Sequence, residues 1–387
     1  MAGQLADVAP SPLGVLPASA AILQAAQEGT PPAAETPAIS LSDLRSRLAE
    51  RGVDVAMSYV VDWSRVPVGA GRADMIGRGL MDSSATVDLE RLAGVPGATA
   101  FVQHQWKGGG DGSSALGIYQ SFSNIDADDF QRVYEVWYEQ RLSADRVRIK
   151  VGQVDANSEF AAVDGAGDFI NASMGFSPTV FLLPTYPYPA PSVNVFVSPT
   201  AHLSVGAGVY GSQSAAARWR QPFVIAQATG SWSLSEGRDG YLRLGTWQQD
   251  QVVEDGPARP SAGHYVVAEQ ALWRLADGAS HLRVFGQLGV TGAVTEGADR
   301  HLGGGLLWSG LGRFRPGDAV GFGATLARMG EAAEHPGVSE LAMGPFVRMA
   351  LAEWFVLTPD VQLVRHAGGD PDAGTRAVAT LRLSATF

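Results

Sequence analysis

Three basic side chains alternate with aliphatic residues in the first part of the segment 145–154. They are Arg146, Arg148 and Lys150, and the positions between them are aliphatic. A repeat of two residues is the repeat of a β-strand, so the segment predicts a strand with one basic face and one apolar face. Such a strand suits the wall of a water-filled β-barrel, where one face meets polar solutes and the other meets lipid.

A segment rich in hydrogen-bond acceptors follows this strand, at residues 155–191. Its candidate acceptors are Asp155, Asn157, Glu159, Asp164 and Asp168. Long loops without regular structure are uncommon and usually functional. If the loop folds back against the basic strand, acids face bases across a narrow gap, and the resulting field orders water and polar solutes. The same charges also suit ion pairs that simply hold the loop to the wall, and the sequence leaves both roles open.

Other predicted strands carry further polar and aromatic residues on the same face. These additional candidates for a pore lining are Glu135, Trp137, Glu139, Arg243, Trp247 and Arg283. Their neighbours along each strand are mostly apolar, as expected where one face lines the lumen and the other faces lipid.

No catalytic or metal-binding pattern is recognisable. Glu135 and Glu139 are four residues apart, about 13 Å along a strand, which exceeds both carboxylate spacings of glycosidases. The seven histidines lack metal-binding spacing, no G-x-S-x-G occurs, and there is no cysteine. We therefore predict a protein that is not an enzyme and has no cofactor or metal. The net charge of −11 also disfavours nucleic acid as a partner.

Segments with a period of two fill the chain from residue 53 to its end. The predicted strands are 53–63, 75–91, 98–106, 130–140, 145–154, 192–198, 201–210, 222–234, 239–249, 263–275, 280–291, 301–312, 318–328, 339–354, 358–366 and 377–387. The connector after each odd-numbered strand is longer than any connector that follows an even-numbered strand. Outer-membrane barrels alternate in this way, with the long loops extracellular. The predicted fold is all-β, a sixteen-stranded antiparallel transmembrane β-barrel with a short N-terminal helix and a long inward-folded loop.

The predicted domain organisation has three parts. Residues 1–39 form a flexible lead rich in Ala and Pro, residues 40–52 a short helix, and residues 53–387 the barrel. No secretory signal is visible, because the first basic residue is Arg45. The route of export is therefore left open.

Energetics decide which face of the strands meets water. A basic side chain on the lipid face costs about 2–4 kcal/mol at the bilayer midplane. Turning the three basic residues of segment 145–154 outward would cost on the order of 5–10 kcal/mol, which is comparable to the stability of a whole domain. The apolar faces therefore form the lipid belt. The candidates for its aromatic girdles are Tyr59, Trp63, Tyr134 and Tyr138.

The last predicted strand alternates strictly and ends the chain on Phe387. A terminal aromatic residue on an alternating strand resembles the assembly signal of bacterial outer-membrane proteins. It implies recognition of Phe387 by the barrel-assembly machinery and contact of the folded wall with outer-membrane lipid.

Several stretches together resemble the carbohydrate-selective porins, the glucose-porin family of Gram-negative bacteria. They are LRSRLAERGVDVAMSYVVDW, TVDLERLAGVPGATAFV, RIKVGQVDANSEFA, DFINASMGFSP, YPYPAPSVNVFVSP, GHYVVAEQALWR and LTPDVQLVRHAGG. The likeness spans about Leu41 to Phe387. It implies an outer-membrane location, a pore narrowed by a loop, and passive, facilitated diffusion of mono- or oligosaccharides.

A sugar pore gives Trp137 and Trp247 two alternative roles. Either ring suits stacking against the apolar face of a sugar, and either equally suits packing beneath a loop. Two other functions of the same fold stay open from the sequence. One is a general diffusion porin without a sugar site, and the other is a plugged barrel that serves adhesion or secretion. The identity of the sugar and the choice between monomer and trimer are also left open.

Overall fold

The computed structural model describes residues 41–68, 75–211, 219, 221–251, 259–274, 280–292, 297–310 and 317–387. The predicted flexible lead, residues 1–39, lies outside this range. In the described part of the chain, no helix is long and apolar enough to cross a membrane.

Sixteen strands account for most of the described residues. They are β1 (Val53–Val68), β2 (Ile76–Asp88), β3 (Ala98–Gly109), β4 (Phe130–Leu142), β5 (Val147–Val154), β6 (Ala190–Thr200), β7 (Leu203–Tyr210), β8 (Phe223–Ser233), β9 (Asp239–Gln251), β10 (Arg259–Arg274), β11 (His281–Thr291), β12 (Ala298–Ser309), β13 (Ala319–Met329), β14 (Ser339–Ala352), β15 (Phe355–Arg365) and β16 (Thr375–Thr386). The α-helices are α1 (Leu41–Glu50), α2 (Leu89–Ala93), α3 (Gly112–Ala115) and α4 (Ala172–Gly175), and 3₁₀ turns span Ala156–Ser158, Asp164–Ala166 and Ala367–Gly369.

The strands form one closed barrel in which each pairs antiparallel with its neighbours in sequence, and β1 closes on β16. The closing pair runs in register from Ser58 opposite Thr386 to Arg65 opposite Ala379. Closure leaves no open sheet edge, which is the condition for crossing lipid with strands. The predicted sixteen-stranded barrel is confirmed.

Alternate residues of each strand face lipid and lumen, as the period of two requires. The outward positions are apolar and exposed, for example Leu244, Leu288 and Leu302. Tyr59, Trp63 and Tyr138 lie among these exposed positions, in agreement with their predicted place in the lipid belt. The prediction for Tyr134 is wrong. On β3, Gln103 pairs with Glu135 and the next residue, His104, pairs with Val133, so Tyr134 of β4 forms a β-bulge and has no partner residue in the sheet. Its hydroxyl lies 2.5 Å from Asp155 Oδ2 instead.

Several predicted strand boundaries differ from the structure by a few residues, and two of these differences have a local cause. The strand predicted to reach residue 91 ends at Asp88, whose carboxylate accepts a hydrogen bond from the backbone of Arg91 and so starts α2. The strand predicted to begin at residue 145 begins at Val147. Residues 143–145 all have positive φ and form a tight turn, so Arg146 is an exposed turn residue at the rim rather than part of the lumenal face.

Two long connectors fold into the barrel. We call residues 110–129, between β3 and β4, the first inner loop, and residues 155–189, between β5 and β6, the second inner loop. A buried aromatic core joins the second inner loop to the wall, where Phe169 contacts Phe285 and Phe346 at centroid distances of 5.3 and 4.8 Å. Each buried side chain of this size stabilises the docked loop by about 1.5–3 kcal/mol.

Glycine on the facing strands makes room for this core. A Cβ atom at Gly323 would lie 2.7 Å from Phe169 Cε1, and one at Gly305 would lie 3.0 Å from Phe169 Cζ. Both glycines occupy lumenal positions, so the backbone itself forms the surface on which the ring rests. The high glycine content of the chain, 47 residues, therefore serves loop docking as well as turns.

Candidate functional site

Glu159 of the second inner loop lies between two basic side chains of β5. Its Oε2 is 2.6 Å from Arg148 Nη2 and its Oε1 is 2.5 Å from Lys150 Nζ. The same bases reach Glu139 on β4 at 2.9 and 3.6 Å. Burial by itself would raise the pKa of Glu159, but Lys150 and Arg148 hold that pKa below its usual value. These two acids and two bases form an ion cluster that anchors the start of the loop.

Trp137 lies beside this ion cluster with other side chains against its ring. Phe101 of β3 stacks on it at a centroid distance of 4.8 Å and an angle of 21°. Lys150 of β5 places its Nζ 3.8 Å from the ring centre. Because β3 and β5 flank β4 on opposite sides, the indole is contacted from both sides. Phe101 and Trp137 form a stacked pair that is half-buried.

A second anchor holds the middle of the second inner loop. Arg243 of β9 donates to both carboxylate oxygens of Asp164, at 2.9 and 2.8 Å. The next residue, Gly165, donates its backbone N–H to Glu269 Oε2 at 2.6 Å. Glu269 is also paired with Arg283 at 2.6 Å. Two charged side chains of the wall, Arg243 and Glu269, therefore hold consecutive residues of the loop.

A third anchor lies on the far wall. Arg348 Nε of β14 is 3.2 Å from Asp168 Oδ1, and both side chains are about one-third exposed to the lumen. Burial raises the pKa of Asp168, and the charge of Arg348 acts against that increase. Asp168 thus completes a path of loop contacts that begins at β5 and reaches β14.

Asp155 forms the hinge at which the second inner loop leaves β5. Its carboxylate accepts hydrogen bonds from the Asn157 backbone at 2.8 Å and from Tyr134, while its own N–H donates to Glu135 at 2.8 Å. Asn157 in turn donates through its amide to the carbonyl oxygen of Phe160 at 3.1 Å. Burial raises the pKa of Asp155 despite these donors. The three predicted site residues Asp155, Asn157 and Glu135 therefore shape the hinge.

Trp247 is not a surface for sugar stacking. It is 1% exposed, and it packs beneath the second inner loop against Phe181 at 5.4 Å, with Phe223 stacked on it at 5.8 Å. Of the two roles left open by the sequence, the structure assigns it packing. Its lumenal position on β9 is as predicted, but the loop covers it.

The first inner loop is part of the site that the sequence did not reveal. Arg78 Nε of β2 is 2.6 Å from Asp126 Oδ1 of this loop. Asp62 of β1 accepts from Ser123 Oγ of the loop at 2.6 Å and pairs with Arg382 of β16 at 2.7 Å. The length of the connector 107–129 was the available signal, since loops of that length are rarely without a role.

Glu340 of β14 holds the first inner loop to the barrel wall. Its carboxylate accepts three backbone hydrogen bonds, from Tyr119 at 2.8 Å, Gln120 at 2.7 Å and Gly368 at 2.6 Å. These three donors satisfy the oxygens of a buried carboxylate without a basic partner. It links the first inner loop, β14 and the turn after β15.

The two inner loops also bind each other. The backbone N–H of Asn124 donates to Ile170 O at 2.8 Å, and that of Ala172 donates to Ser121 O at 3.0 Å. The two inner loops, residues 110–129 and 155–189, therefore form one continuous ledge that crosses the barrel and is anchored to the wall on both sides.

No group of side chains suited to a metal ion occurs in the described ranges.

The ion pairs along this ledge are unequally exposed. Arg283 is 40% exposed whereas its partner Glu269 is 2% exposed, and Arg148 is 20% exposed whereas Glu159 is 4% exposed. The exceptions are Asp164 and Asp168, each of which is more exposed than its arginine partner. Where the acid is buried, the wall presents mainly guanidinium groups to the lumen.

A closed antiparallel barrel, an apolar outer belt and two inward-folded loops define an outer-membrane porin. The chain belongs to the carbohydrate-selective porins of the OprB family, whose sequence profile matches residues 74–232 and 225–387. The predicted family and outer-membrane location are confirmed. The protein is thus a passive transport channel for carbohydrates.

Solved structures show the same fold. The high-pH structure of Pseudomonas putida OprB superimposes with a TM-score of 0.80 at 18% identity, over 89% of this chain and 97% of that one. The low-pH structure of the same protein gives a TM-score of 0.63 at 16% identity, over 91% and 98%. Salmonella typhi OmpF in complex with daunomycin gives 0.54 at 11% identity, over 87% and 97%. No curated protein sequence matches this chain.

Proposed function

We propose that sugars cross this porin along the guanidinium groups that the wall presents beside the ledge, chiefly Arg148, Arg283 and Arg348. The observation that supports this path is that Arg283 is far more exposed than Glu269. A guanidinium donates charge-assisted hydrogen bonds to sugar hydroxyl oxygens and replaces part of their water. Because each arginine is already paired with an acid, its hold on a sugar stays weak, as rapid transport requires.

Acceptors for the sugar hydroxyl protons lie on the neighbouring strands β2 and β3. Asp82 accepts from the side-chain amides of Gln103 at 2.6 Å and Gln105 at 2.8 Å. Asp82 and Gln103 are half-buried lumenal residues, so their remaining acceptor oxygens lie within reach of a solute. Donors on one wall and acceptors on another suit a polyhydroxylated solute better than a simple ion.

The Phe101–Trp137 pair supplies the apolar part of this path. The apolar C–H face of a sugar ring gains by leaving water at an aromatic surface. We infer that sugars pass against the exposed part of this pair, since Lys150 fixes the indole in place.

The experiment is a planar-bilayer recording of the refolded porin with glucose or a polyol of equal size added to one side. We expect glucose to reduce the conductance at concentrations where the polyol does not. Arg283→Gln should weaken the glucose effect several-fold while the barrel still folds, because Glu269 keeps its hydrogen bonds from Gly165 and Tyr241. Arg91→Gln, an exposed change on the short-turn rim, is the matched control. Equal effects of glucose on all three proteins would remove Arg283 from the path.

The last residue, Phe387, bears on how the barrel is assembled in the membrane. Phe387 is 53% exposed and stacks on Trp354 at 6.3 Å, so its ring is accessible at the outer surface near the closing strands. We propose that the barrel-assembly machinery recognises this residue before closure. Pull-down of the unfolded chain by that machinery should fail for Phe387→Ala and persist for Phe387→Tyr. Mass measurement in detergent decides between the monomer and the trimer, which the sequence left open.

A further inference from the structure

A band of arginines lies on the outer surface of the barrel, near the ends of the strands that lead into the long loops. Its members are Arg65 of β1, Arg300 of β12, Arg328 of β13 and Arg365 of β15. Each lies two positions further toward the long loops than an exposed apolar residue of the lipid belt. Those neighbours are Trp63, Leu302, Leu326 and Leu363.

The alternation of β13 shows that the band faces outward. Thr325 is buried in the lumen, where its hydroxyl donates to Gln120 of the first inner loop at 2.6 Å. Leu326 and Arg328 occupy the other set of alternate positions with Ala327 buried between them. They therefore face the membrane rather than the pore.

The same reasoning holds for the two neighbouring members. His301 of β12 is buried against Thr325, so Arg300 beside it points outward. Val364 of β15 is buried in the lumenal core, so Arg365 points outward as well. Arg300 and Arg365 are both exposed.

Arg300 and Arg365 have no acidic partner among the described residues, whereas Arg328 has one. Arg300 and Arg328 lie directly opposite each other in the register of β12 and β13. Like charges at opposed positions destabilise a sheet unless an anion lies between them. Arg328 pairs with Asp299, its Nε 2.8 Å from Oδ1. Among the residues that the structure describes, no acid lies within ion-pair distance of Arg300 or Arg365.

The opposite rim of the same strands is different. Its lipid-facing residues include Met57 of β1 and Trp308 of β12, which are apolar or aromatic. Because long loops of such barrels are extracellular, the arginine band meets only the outer leaflet of the membrane. At this depth an arginine costs only about 0–1 kcal/mol, so the band is tolerated near the headgroups.

We propose that the arginine band binds the phosphate groups of lipid headgroups in the outer leaflet, with Arg300 and Arg365 as its principal ligands, because Arg328 is already held by Asp299. A planar guanidinium without an acidic partner can match two phosphate oxygens at once. Arg365 extends the site toward a second phosphate on the same or an adjacent lipid.

Native mass spectrometry of the porin in detergent tests this, with bisphosphorylated lipid A and phosphatidylcholine as probes. We expect retention of lipid A and little retention of phosphatidylcholine. The double variant Arg300→Gln/Arg365→Gln keeps the Arg328–Asp299 pair, and should bind lipid A about thirtyfold more weakly. Arg91→Gln removes one exposed arginine from the other rim and should bind as the unaltered chain does.

Three results would overturn the proposal. They are unchanged lipid A binding by the double variant, an equal loss in Arg91→Gln, and displacement of the lipid by inorganic phosphate at equal concentration. The last result would mean that the band takes a free anion rather than a lipid. Heat-modifiable migration on a gel establishes that each variant barrel is folded, so a loss of binding is not a loss of fold.

Discussion

Asp164 and Arg243 meet in a two-pronged ion pair between the second inner loop and β9, with nitrogen–oxygen distances of 2.9 and 2.8 Å. Arg243 also donates to the carbonyl oxygen of Ala162 at 2.6 Å. One wall side chain therefore holds two points of the loop that narrows the pore. The aperture of the pore therefore depends on the docking of this loop as well as on the number of strands.

Replacing Arg243 with Met tests this dependence. The loop loses its central anchor, whereas the barrel wall keeps its hydrogen bonds, so we expect a folded channel with higher and noisier conductance. The expected loss of stability is about 1.5–3 kcal/mol, the range for hydrogen bonds to charged groups. Asp164→Asn should have a similar effect, and the double variant should add little to either, since both changes remove the same contact. Additive effects of the two changes would contradict a shared anchor.

The pH dependence of loop docking should follow Glu159. Its pKa lies below the usual value in the folded protein because Lys150 and Arg148 outweigh burial. A lowered folded-state pKa gives stability that is present above the unfolded value, about 4.3, and is lost as the pH falls through the lowered folded value. We therefore expect the start of the loop to loosen only below about pH 4. Conductance noise recorded between pH 7 and pH 3 measures this, with Glu159→Gln as the variant that should lose the transition.

Asp168 should make a contribution of opposite sign to the pH dependence of loop docking. Its pKa is raised by burial, with Arg348 opposing. A raised folded-state pKa favours docking at low pH, and that contribution is lost as the pH rises through the folded value. Asp168→Asn should therefore make docking less sensitive to a rise in pH from about 4 upward. A steeper response in this variant than in the unaltered chain would contradict the prediction.

Gly323→Ala should displace the second inner loop. The new Cβ atom would lie 2.7 Å from Phe169 Cε1 and 2.9 Å from Met174 Cε, so the ring must move away from the wall. Overpacking of this kind costs about 1–3 kcal/mol. Gly230→Ala on β8 is the control, because no atom lies within 4 Å of its added Cβ. Thermal unfolding followed by circular dichroism should separate the two, and equal melting temperatures would show that Phe169 adjusts without cost.

Phe101→Ala separates sugar recognition from ion flow. The change removes half of the stacked pair with Trp137 but no charge. We expect glucose flux into liposomes to fall several-fold while the single-channel conductance stays constant or rises slightly. Phe101→Leu keeps the apolar volume and should retain part of the flux. A flux that changes only in proportion to conductance would leave the aromatic pair without a role in selection.

The repeat of two residues was sufficient to predict the sixteen strands, the alternation of long and short connectors, and the lumenal face of β5. These properties are local, because a strand sends successive side chains to opposite sides wherever it lies. The family likeness added the carbohydrate function. The sequence also identified Glu159, Asp164 and Asp168 as acids of an inward loop, since their loop was long and acidic.

Only the tertiary structure decided which base each acid meets, that Trp247 lies beneath the loop, and that the first inner loop docks on Asp62 and Glu340. These outcomes depend on contacts between residues far apart in the chain, such as Gln120 with Glu340, which are 220 positions apart. A bulge turned Tyr134 from the lipid to the loop hinge, and a tight turn removed Arg146 from the wall. Side-chain alternation is fixed by the local geometry of the chain, whereas docking is fixed by complementary shape and charge that exist only once the barrel has closed.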